Sequence, residues 1–285
     1  MGSPGSLTIE SAHMPPVVAL LTDFGSQDHY VGSLKGAILS VCRDATLVDL
    51  AHELPVHDVA AGAFALASSW RDFPEGTIFL AVVDPGVGTS RRALALEADG
   101  RLFVGPDNGI LSLVIEDAQD AVTVREITNP RLVRPEISAT FHARDVFGPV
   151  AGHLATGVPM AEVGALVTDP VRLAPAPARA SGAADWSAQV LHVDRFGNLI
   201  TNLGRRDLAA ILATVENDRN GVVIVLGSHV LPLAVTYADV AEGEAVALLG
   251  SSGRLEIAVN RGSAASALGA GSGSSVRLRA VSTVL

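Results

Sequence analysis

The chain has 285 residues, of which 48% are hydrophobic and 18% are charged. This length allows one large domain or two of ordinary size, and the apolar content excludes an intrinsically disordered chain. Thirty acidic against 20 basic residues give a net charge of −10. Because phosphate backbones are bound by basic surfaces, nucleic acid is not an expected partner. Without an apolar run of about 18 residues, no membrane association is expected.

The N-terminal residues 1–14 (MGSPGSLTIESAHM) are rich in Gly and Ser and end in Ser-Ala-His-Met, which is typical of an expression leader rather than a signal peptide. Cys42 is the only cysteine, so no intramolecular disulfide and no cysteine-based zinc site can form. The cysteine usage favours a reducing compartment, and we expect a cytoplasmic protein.

From residue 15 onwards, short apolar runs alternate with amphipathic stretches. Three runs predict buried strands: Val17–Leu21, Thr46–Leu50 and Ile78–Val83. Two stretches predict helices: Tyr30–Val41, and Val59–Trp70 with Asp58 as its N-cap. Strand–helix–strand alternation with nearly continuous apolar strands predicts an α/β domain, with a mostly parallel sheet sandwiched by helices.

An Ala- and Pro-rich stretch follows, and we predict a linker over 173–186 between an N-terminal domain (15–172) and a C-terminal domain (187–285). Beyond it lie four short strand-like runs separated by Gly-containing turns: Gln189–Asp194, Leu199–Leu203, Val222–Leu226 and Ala245–Leu249. This pattern favours a smaller, mostly β domain.

Polar clusters follow two of the predicted strands, where ligands bind in open α/β sheets. They are Thr22–Gly25 and Asp84–Arg91, and a third cluster, Thr140–Asp145, precedes a predicted helix over Val146–Thr156. Taken alone, each cluster is better explained by a turn or a helix cap than by a site. Their shared placement favours a site. The loops Val193–Asn202 and Gly250–Arg254 are polar candidates in the second domain.

Several known motifs are absent. Asp23-Phe24-Gly25 matches the kinase metal-binding triplet, but no Gly-rich loop precedes it and no His-Arg-Asp segment occurs. GxGxxG after the first strand, GxxxxGK[ST] and GxSxG are also missing. The eight histidines show no HExxH or other tight ligand spacing, so we predict no catalytic metal and no cofactor.

Five segments, in order, carry a resemblance to one family. They are TDFGSQDHYVG at Thr22–Gly32, VVDPGVGTSRR at Val82–Arg92, GPDNGIL at Gly105–Leu111, TFHARDVF at Thr140–Phe147 and VDRFGNLITN at Val193–Asn202. The set resembles the S-adenosylmethionine (SAM) hydroxide adenosyltransferases, the adenosine-forming SAM hydrolases related to fluorinase and chlorinase. The resemblance implies an α/β N-terminal domain, a β-barrel-like C-terminal domain, and a homotrimer with active sites between neighbouring subunits.

The resemblance also implies roles for individual residues. Three fall on the family's water-activating positions: Asp84, Arg91 and His142. Those implied to bind substrate are Asp23 (ribose), Asp28 and Asp194 (the methionine ammonium), Phe196 and Asn198 (the adenine side), Ser252 (the methionine carboxylate) and Phe141. The implied substrate is SAM and the implied products are adenosine and L-methionine.

Differences from the halogenases favour the hydrolase subtype. Fluorinase has Tyr where Asp84 stands and Ser where Ala143 stands, so the groups that hold a halide are missing. The fluorinase loop insertion after this segment is also absent. A carboxylate at Asp84 would repel a halide and can accept a proton from water. Either Asp84 or His142 is a candidate proton acceptor. The alternatives are a SAM-dependent halogenase, a non-catalytic SAM or adenosine sensor, and an α/β methyltransferase.

Overall fold

The structure is a computed structural model that describes residues 14–173, 178–182 and 185–280. The described chain folds into two compact units. The first unit comprises residues 14–57 and 72–171, and the second comprises residues 58–71 and 172–280. The predicted helix after Asp58 therefore belongs to the second unit, although the sequence analysis places it in the N-terminal domain.

The first unit is built on a six-stranded sheet of order β2-β1-β3-β5-β4-β6. The first four strands in this order pair in parallel, whereas β4 and β6 are antiparallel to their neighbours. The strands are β1 (Val17–Thr22), β2 (Thr46–Ala51), β3 (Ile78–Val82), β4 (Ala93–Ala98), β5 (Arg101–Pro106) and β6 (Thr123–Glu126). The predicted mostly parallel sheet is confirmed.

Helices α1 (Tyr30–Leu39), α3 (Ser112–Asp117) and α4 (Gly148–Ala155) belong to this unit. α4 packs on α1 and on the sheet, and both helices contribute to one apolar core with β1 and β3. A Cβ at Gly152 would lie only 2.8 Å from the Cβ of Val41, so glycine permits the close approach at this point. A π-helical turn, Ala143–Phe147, precedes α4, so the helix predicted to begin at Val146 starts three residues earlier.

The second unit contains helix α2 (Val59–Ser69) and an antiparallel sheet. The strands of this sheet follow one another in the order β11 (His229–Pro232), β10 (Val222–Leu226), β14 (Ser275–Ala280), β8 (Asp185–Val193), β9 (Leu199–Gly204), β13 (Arg254–Val259) and β12 (Ala245–Leu249). Helix α2 packs on β8. Asp58 caps α2 as predicted, with Oδ1 accepting from the Ala61 amide at 2.9 Å. The Leu233–Ala247 bridge joins the segment after β11 to β12 at the opposite sheet edge. The sheet is therefore nearly closed, which confirms the predicted barrel-like domain.

The remaining elements of the second unit are strand β7 (Arg179–Gly182), which pairs with β8, and helices α5 (Arg205–Ala213) and α6 (Ala264–Leu268). Parts of the predicted linker, residues 179–182 and 185–186, lie in β7 and β8. Residues 174–177 and 183–184 of that stretch, and residues 1–13 of the predicted leader, are outside the described residues. None of the helices in the described part of the chain has the length and apolar character needed to cross a bilayer.

Candidate active site

A cleft of about 440 Å³ opens in the first unit, where β1 and β3 end. Carboxyl ends of parallel strands are where α/β proteins place their ligands, because the loops that follow the strands converge there. The lining residues are Asp23, Phe24, Tyr30, Val56, His57, Val82, Asp84, Val87, Ser138, Thr140, Phe141, His142, Ala143 and Arg144. The cleft thus contains residues from all three of the polar clusters singled out in this part of the sequence.

Asp84, Arg91 and His142 form one hydrogen-bonded group at this cleft. Arg91 donates from Nε to both carboxylate oxygens of Asp84 at 3.0 Å and from Nη2 to Asp84 Oδ2 at 2.5 Å. The same Nη2 lies 2.9 Å from His142 Nδ1. The side chains of Asp84 and Arg91 are only 5% and 9% exposed, respectively. An ion pair so shielded from water holds its geometry far better than a surface pair.

The protonation state of His142 follows from this contact. A guanidinium is always protonated and can only donate, so Nδ1 must be the acceptor and the ring hydrogen resides on Nε2. Burial lowers the pKa of His142, and the positive charge of Arg91 lowers it further, while Asp84 and Asp145 partly oppose the shift. His142 is therefore neutral at neutral pH, with an N–H donor at Nε2.

The loop that carries Asp84 and Arg91 packs closely against the segment that leads to His142. Gly88 has φ +78°, and a Cβ there would lie 2.3 Å from the Ala139 carbonyl oxygen. Only glycine combines this left-handed backbone with so close an approach. The hydroxyl of Thr89 donates to the Gly86 carbonyl at 2.7 Å and tightens the turn. Asp84 and His142, 58 positions apart, are thereby brought together.

The GPDNGIL segment holds the same loop at both ends, a role that the sequence analysis did not assign. Asn108 donates from Nδ2 to the carbonyl of Val83 at 2.8 Å, immediately before Asp84, and accepts from the Ile110 amide at 3.1 Å. Asp107 is buried and accepts from Arg92 Nε at 2.6 Å, immediately after Arg91. The family resemblance identifies this motif in the sequence, but its own residues do not indicate that it contacts the Asp84–Arg91 loop.

Asp23 also faces the cleft, with its side chain 8% exposed. Its Oδ2 accepts from the backbone amide of His57 at 2.8 Å, and its Oδ1 accepts no hydrogen bond from a described residue. Beside it, the rings of Phe24, Tyr30 and Phe141 pack edge-to-face with centroids 5.3–6.1 Å apart. Asp28 is exposed just before α1 and does not line the cleft.

The predicted residues of the second unit lie on the β8–β9 and β12–β13 loops. Asp194 accepts from the backbone amides of Phe196 and Asn198 at 2.9 and 2.8 Å and from Asn198 Nδ2 at 2.9 Å, so it organises its own loop. Phe196 and Asn198 line a second cavity, of about 500 Å³, together with Tyr237 and Arg261. Ser252 is half-buried in the β12–β13 turn and does not line this cavity.

Glu256 adds a carboxylate that sequence reasoning missed. It is buried in β13 and accepts a hydrogen bond from the Tyr237 hydroxyl at 2.6 Å. Burial raises the pKa of Glu256, and the nearby charge of Asp194 raises it further, although the Tyr237 hydrogen bond opposes the shift. Burial and the contact with Glu256 raise the pKa of Tyr237 to about 12, so the phenol stays protonated. In the sequence, Glu256 is a single polar residue within an apolar strand, and no neighbouring residue indicates that Tyr237 is its partner.

No group of three or more His, Cys, Asp and Glu side chains among the described residues is arranged to hold a metal ion. The first unit is an α/β domain with the Asp84–Arg91–His142 group at its strand ends, and the second is a nearly closed antiparallel barrel. The chain is therefore a two-domain α/β–β protein with an enzyme-like cleft.

Comparison with known proteins identifies the family. Residues 18–164 match the SAM hydroxide adenosyltransferase N-terminal domain and residues 188–277 match the C-terminal domain of the same family. The chain belongs to the SAM hydroxide adenosyltransferase family.

Three relatives illustrate the range of similarity. An (R)-S-adenosyl-L-methionine hydrolase from Thermus thermophilus is 42% identical over 92% of this chain and 98% of its own length. A fluorinase from Actinoplanes sp. is 32% identical over 86% of this chain and 91% of its own length. The crystal structure of an uncharacterized conserved protein from Thermotoga maritima superposes with a TM-score of 0.82 at 36% identity, covering 92% of this chain and 99% of that chain.

Proposed function

We propose that the protein hydrolyses SAM to adenosine and L-methionine by in-line attack of water on C5′. The observation that carries this proposal is the Asp84–Arg91–His142 group at the cleft, in a chain whose relatives include SAM hydrolases. A sulfonium is already a good leaving group, so methionine needs no general acid to depart. The task of the site is to place a water molecule and to accept its proton, since bulk water has a pKa of about 15.7.

Asp84 is the proton acceptor in this mechanism. Nδ1 of His142 is occupied by Arg91 and Nε2 already bears a hydrogen, so neutral His142 donates to the water and orients it. A carboxylate has about four acceptor positions, which leaves Asp84 able to accept from the water while it binds Arg91. Arg91 does not line the cleft, so it acts by fixing the two side chains that do. Holding the water and C5′ in a near-attack geometry can lower the activation barrier by roughly 7–11 kcal/mol.

The other assignments stay predictions that the family resemblance supports. Asp23 would bind the ribose hydroxyls through its open Oδ1 and so direct C5′ towards the water. The proposed substrate contacts further include Asp28 and Asp194 for the ammonium, Phe141, Phe196 and Asn198 for the adenosyl part and Ser252 for the carboxylate. We also keep a homotrimer and a cytoplasmic location as predictions, the latter because Cys42 is a free, buried thiol.

Product identification tests the proposal. Purified protein is incubated with SAM, with and without added chloride or fluoride, and the nucleosides are separated by chromatography. We expect adenosine and methionine in equal amounts whether or not halide is present. A 5′-halo-nucleoside would show a halogenase, S-adenosylhomocysteine a methyltransferase, and binding without turnover a sensor; each of these results would overturn the proposed reaction.

Two His142 variants distinguish a hydrogen-bond donor from a base. In His142→Gln the amide places an N–H close to the position of Nε2, whereas in His142→Asn the amide reaches only the position of Nδ1. We therefore expect His142→Gln to keep more of the rate of adenosine formation than His142→Asn. If His142 were the base, both variants would lose about 10²–10⁴-fold, because neither amide accepts a proton.

The rate of the wild-type protein is expected to fall on acidification. Protonation of His142 puts a hydrogen on Nδ1 that faces the Arg91 guanidinium, so the contact is lost. Because the pKa of His142 is lowered, the midpoint lies below the ordinary histidine value of about 6.5. The unfolded chain binds this proton at a higher pH than the folded protein does. The stability contributed by neutral His142 is therefore also lost as the pH falls from about 6.5 towards the lowered pKa of the folded state. The pH profile of kcat/KM measures the midpoint, and a midpoint above 6.5 would contradict the assignment.

Asn108→Ala should lower kcat about tenfold to a hundredfold with little change in KM. The variant frees the Val83 carbonyl and lets Asp84 move, and a displacement of about 1 Å costs about 10²-fold in rate. Asn129→Ala is the matched control, since Asn129 likewise donates to a distant carbonyl (Glu162, 2.8 Å) and accepts from the amide two residues on, but the carbonyl that it holds is not adjacent to a residue that lines the cleft. Equal effects of both substitutions on kcat would show that Asn108 has no specific positioning role.

A further inference from the structure

The turn Thr22–Gly25, which carries Asp23 into the cleft, is held at both ends by His52. The Nδ1 atom of His52 lies 2.8 Å from the hydroxyl oxygen of Thr22, and the main-chain carbonyl of His52 accepts from the Gly25 amide at 2.7 Å. Asp23 stands between these two points in the chain. Because His52 does not line the cleft, it can act on the site only through this turn.

A β-bulge in β2 brings His52 to this position. Leu20 pairs with Asp49, but Leu21 pairs with Ala51, so β2 contains one extra residue relative to β1. In a regular strand, a residue and the third one after it point to opposite faces, whereas the extra residue here allows Asp49 and His52 to make contact. Bulges often stand next to active sites, where they redirect a side chain.

The ring of His52 is itself anchored on its other side. Asp49 Oδ1 lies 3.0 Å from Nε2 of His52, and Asp49 Oδ2 accepts from Lys35 Nζ at 2.7 Å. Since a carboxylate only accepts, Nε2 bears the hydrogen, and in the neutral ring Nδ1 is then the acceptor for the Thr22 hydroxyl. The Thr22 hydroxyl in turn accepts from the Phe24 amide at 3.3 Å. Thr22 is 0% exposed and the His52 side chain 10% exposed, so water competes little for these contacts.

Two anchors therefore determine where Asp23 lies. His52 fixes the backbone of its turn, and the His57 amide fixes its Oδ2 at 2.8 Å, so the position of the open Oδ1 is fixed as well. We propose that His52 is a positioning residue for ribose recognition, which holds Asp23 so that Oδ1 meets the ribose hydroxyls of the substrate. This inference rests on the proposed function and adds to it the residue that controls selectivity for ribose over deoxyribose.

Two variants of His52 separate its contact with Thr22 from its contact with Asp49. In His52→Asn the amide reaches the position of Nδ1 and can still accept from the Thr22 hydroxyl. In His52→Gln the amide reaches the position of Nε2, which leaves that hydroxyl without its partner. Thr22→Val removes the hydroxyl and nearly keeps the shape of the side chain.

The matched control is Thr201→Val. Thr201 is also 0% exposed, donates to the Leu255 carbonyl at 2.9 Å and accepts from the amide two residues on, but it lies on β9 of the second unit.

The test measures kcat/KM for SAM and for its 2′-deoxy and 3′-deoxy analogues. The ratio of two such values for one preparation does not depend on the folded fraction, so a loss of stability alone leaves the preference unchanged. We expect the wild-type protein to prefer SAM over at least one analogue by about tenfold to a hundredfold, the range for one hydrogen bond to a charged group. His52→Gln and Thr22→Val should prefer SAM by less than about threefold, through a higher KM for SAM, because a misaligned hydrogen bond contributes little. His52→Asn should retain most of the preference, and Thr201→Val all of it.

The outcomes separate this inference from the proposed function. Formation of no adenosine from SAM by the wild-type protein would refute the proposed function itself. If the wild-type protein forms adenosine but cleaves all three substrates equally well, or if His52→Gln and Thr22→Val keep the full preference, His52 does not position Asp23 for the ribose. A His52→Asn variant that loses as much of the preference as His52→Gln would overturn the role of Nδ1. Should Thr22→Val fail to fold, the two His52 variants decide the question by the same criteria.

Discussion

Replacement of Asp84 by asparagine is expected to lower the rate of adenosine formation by about 10²–10⁴-fold, the usual contribution of a positioned base. The substitution keeps the size of the side chain and removes the charge and the proton acceptor. Because Asp84 faces the attacking water rather than the bound nucleoside in our mechanism, the affinity for SAM should change little. Turnover is followed by chromatography of adenosine, and SAM binding by calorimetry.

The matched control for Asp84→Asn is Asp169→Asn. Asp169 also accepts a hydrogen bond from an arginine of the same segment (Arg92, 2.8 Å), but its side chain is 80% exposed and lies outside the cleft lining. We expect Asp169→Asn to retain wild-type turnover. An Asp84→Asn variant that forms adenosine at the wild-type rate would remove Asp84 from the mechanism.

Arg91→Met should destabilise the fold as well as abolish turnover. The substitution leaves the Asp84 carboxylate, which is 5% exposed, without its partner, and breaking a buried pair in this way costs about 3–5 kcal/mol. His142 loses its Nδ1 donor at the same time. Urea unfolding of the variant and of the wild-type protein measures the free-energy difference, and adenosine formation measures the effect on the site.

Two comparisons make the stability result specific to the buried charge. The double variant Asp84→Asn/Arg91→Met should be more stable than Arg91→Met alone, because it no longer buries an unpaired carboxylate. Arg261→Met breaks an exposed pair with Glu242, in which the side chains are 76% and 68% exposed, and should cost less than about 1 kcal/mol. An Arg91→Met variant as stable as Arg261→Met would contradict the account of a buried, mutually dependent pair.

Local patterns in the sequence predict the elements that are apolar along their whole length. All residues of β3, and all of β1 except Val17, are buried, and the ends of these strands locate the edge at which Asp23 and Asp84 line the cleft. The same reasoning does not reveal that β4 runs antiparallel to both of its neighbours, β5 and β6, because strand direction depends on connections rather than on the composition of a strand. It also does not reveal that α2 groups with the second unit, because that grouping follows from the packing of α2 on β8, which is distant in the chain.

The candidate catalytic residues were predictable from the family pattern, but their chemistry was not. Which of Asp84 and His142 accepts the proton depends on one contact, between Arg91 Nη2 and His142 Nδ1. Interactions between side chains far apart in the chain leave no periodic signal in the sequence. For the same reason, sequence patterns do not predict two further contacts: the hydrogen bond from Tyr237 to Glu256, and the one from Asn108 to the Val83 carbonyl. Each joins residues that are 19 or 25 positions apart.

The central claim, attack of water on C5′ of SAM, is tested most directly by turnover in water enriched in oxygen-18. Mass spectrometry of the separated products locates the label. The mechanism predicts one oxygen-18 atom in the 5′-hydroxyl of adenosine and none in methionine, because the new C–O bond forms at C5′ and the C5′–S bond breaks. Unlabelled adenosine, or homoserine that carries the label together with methylthioadenosine, would contradict it.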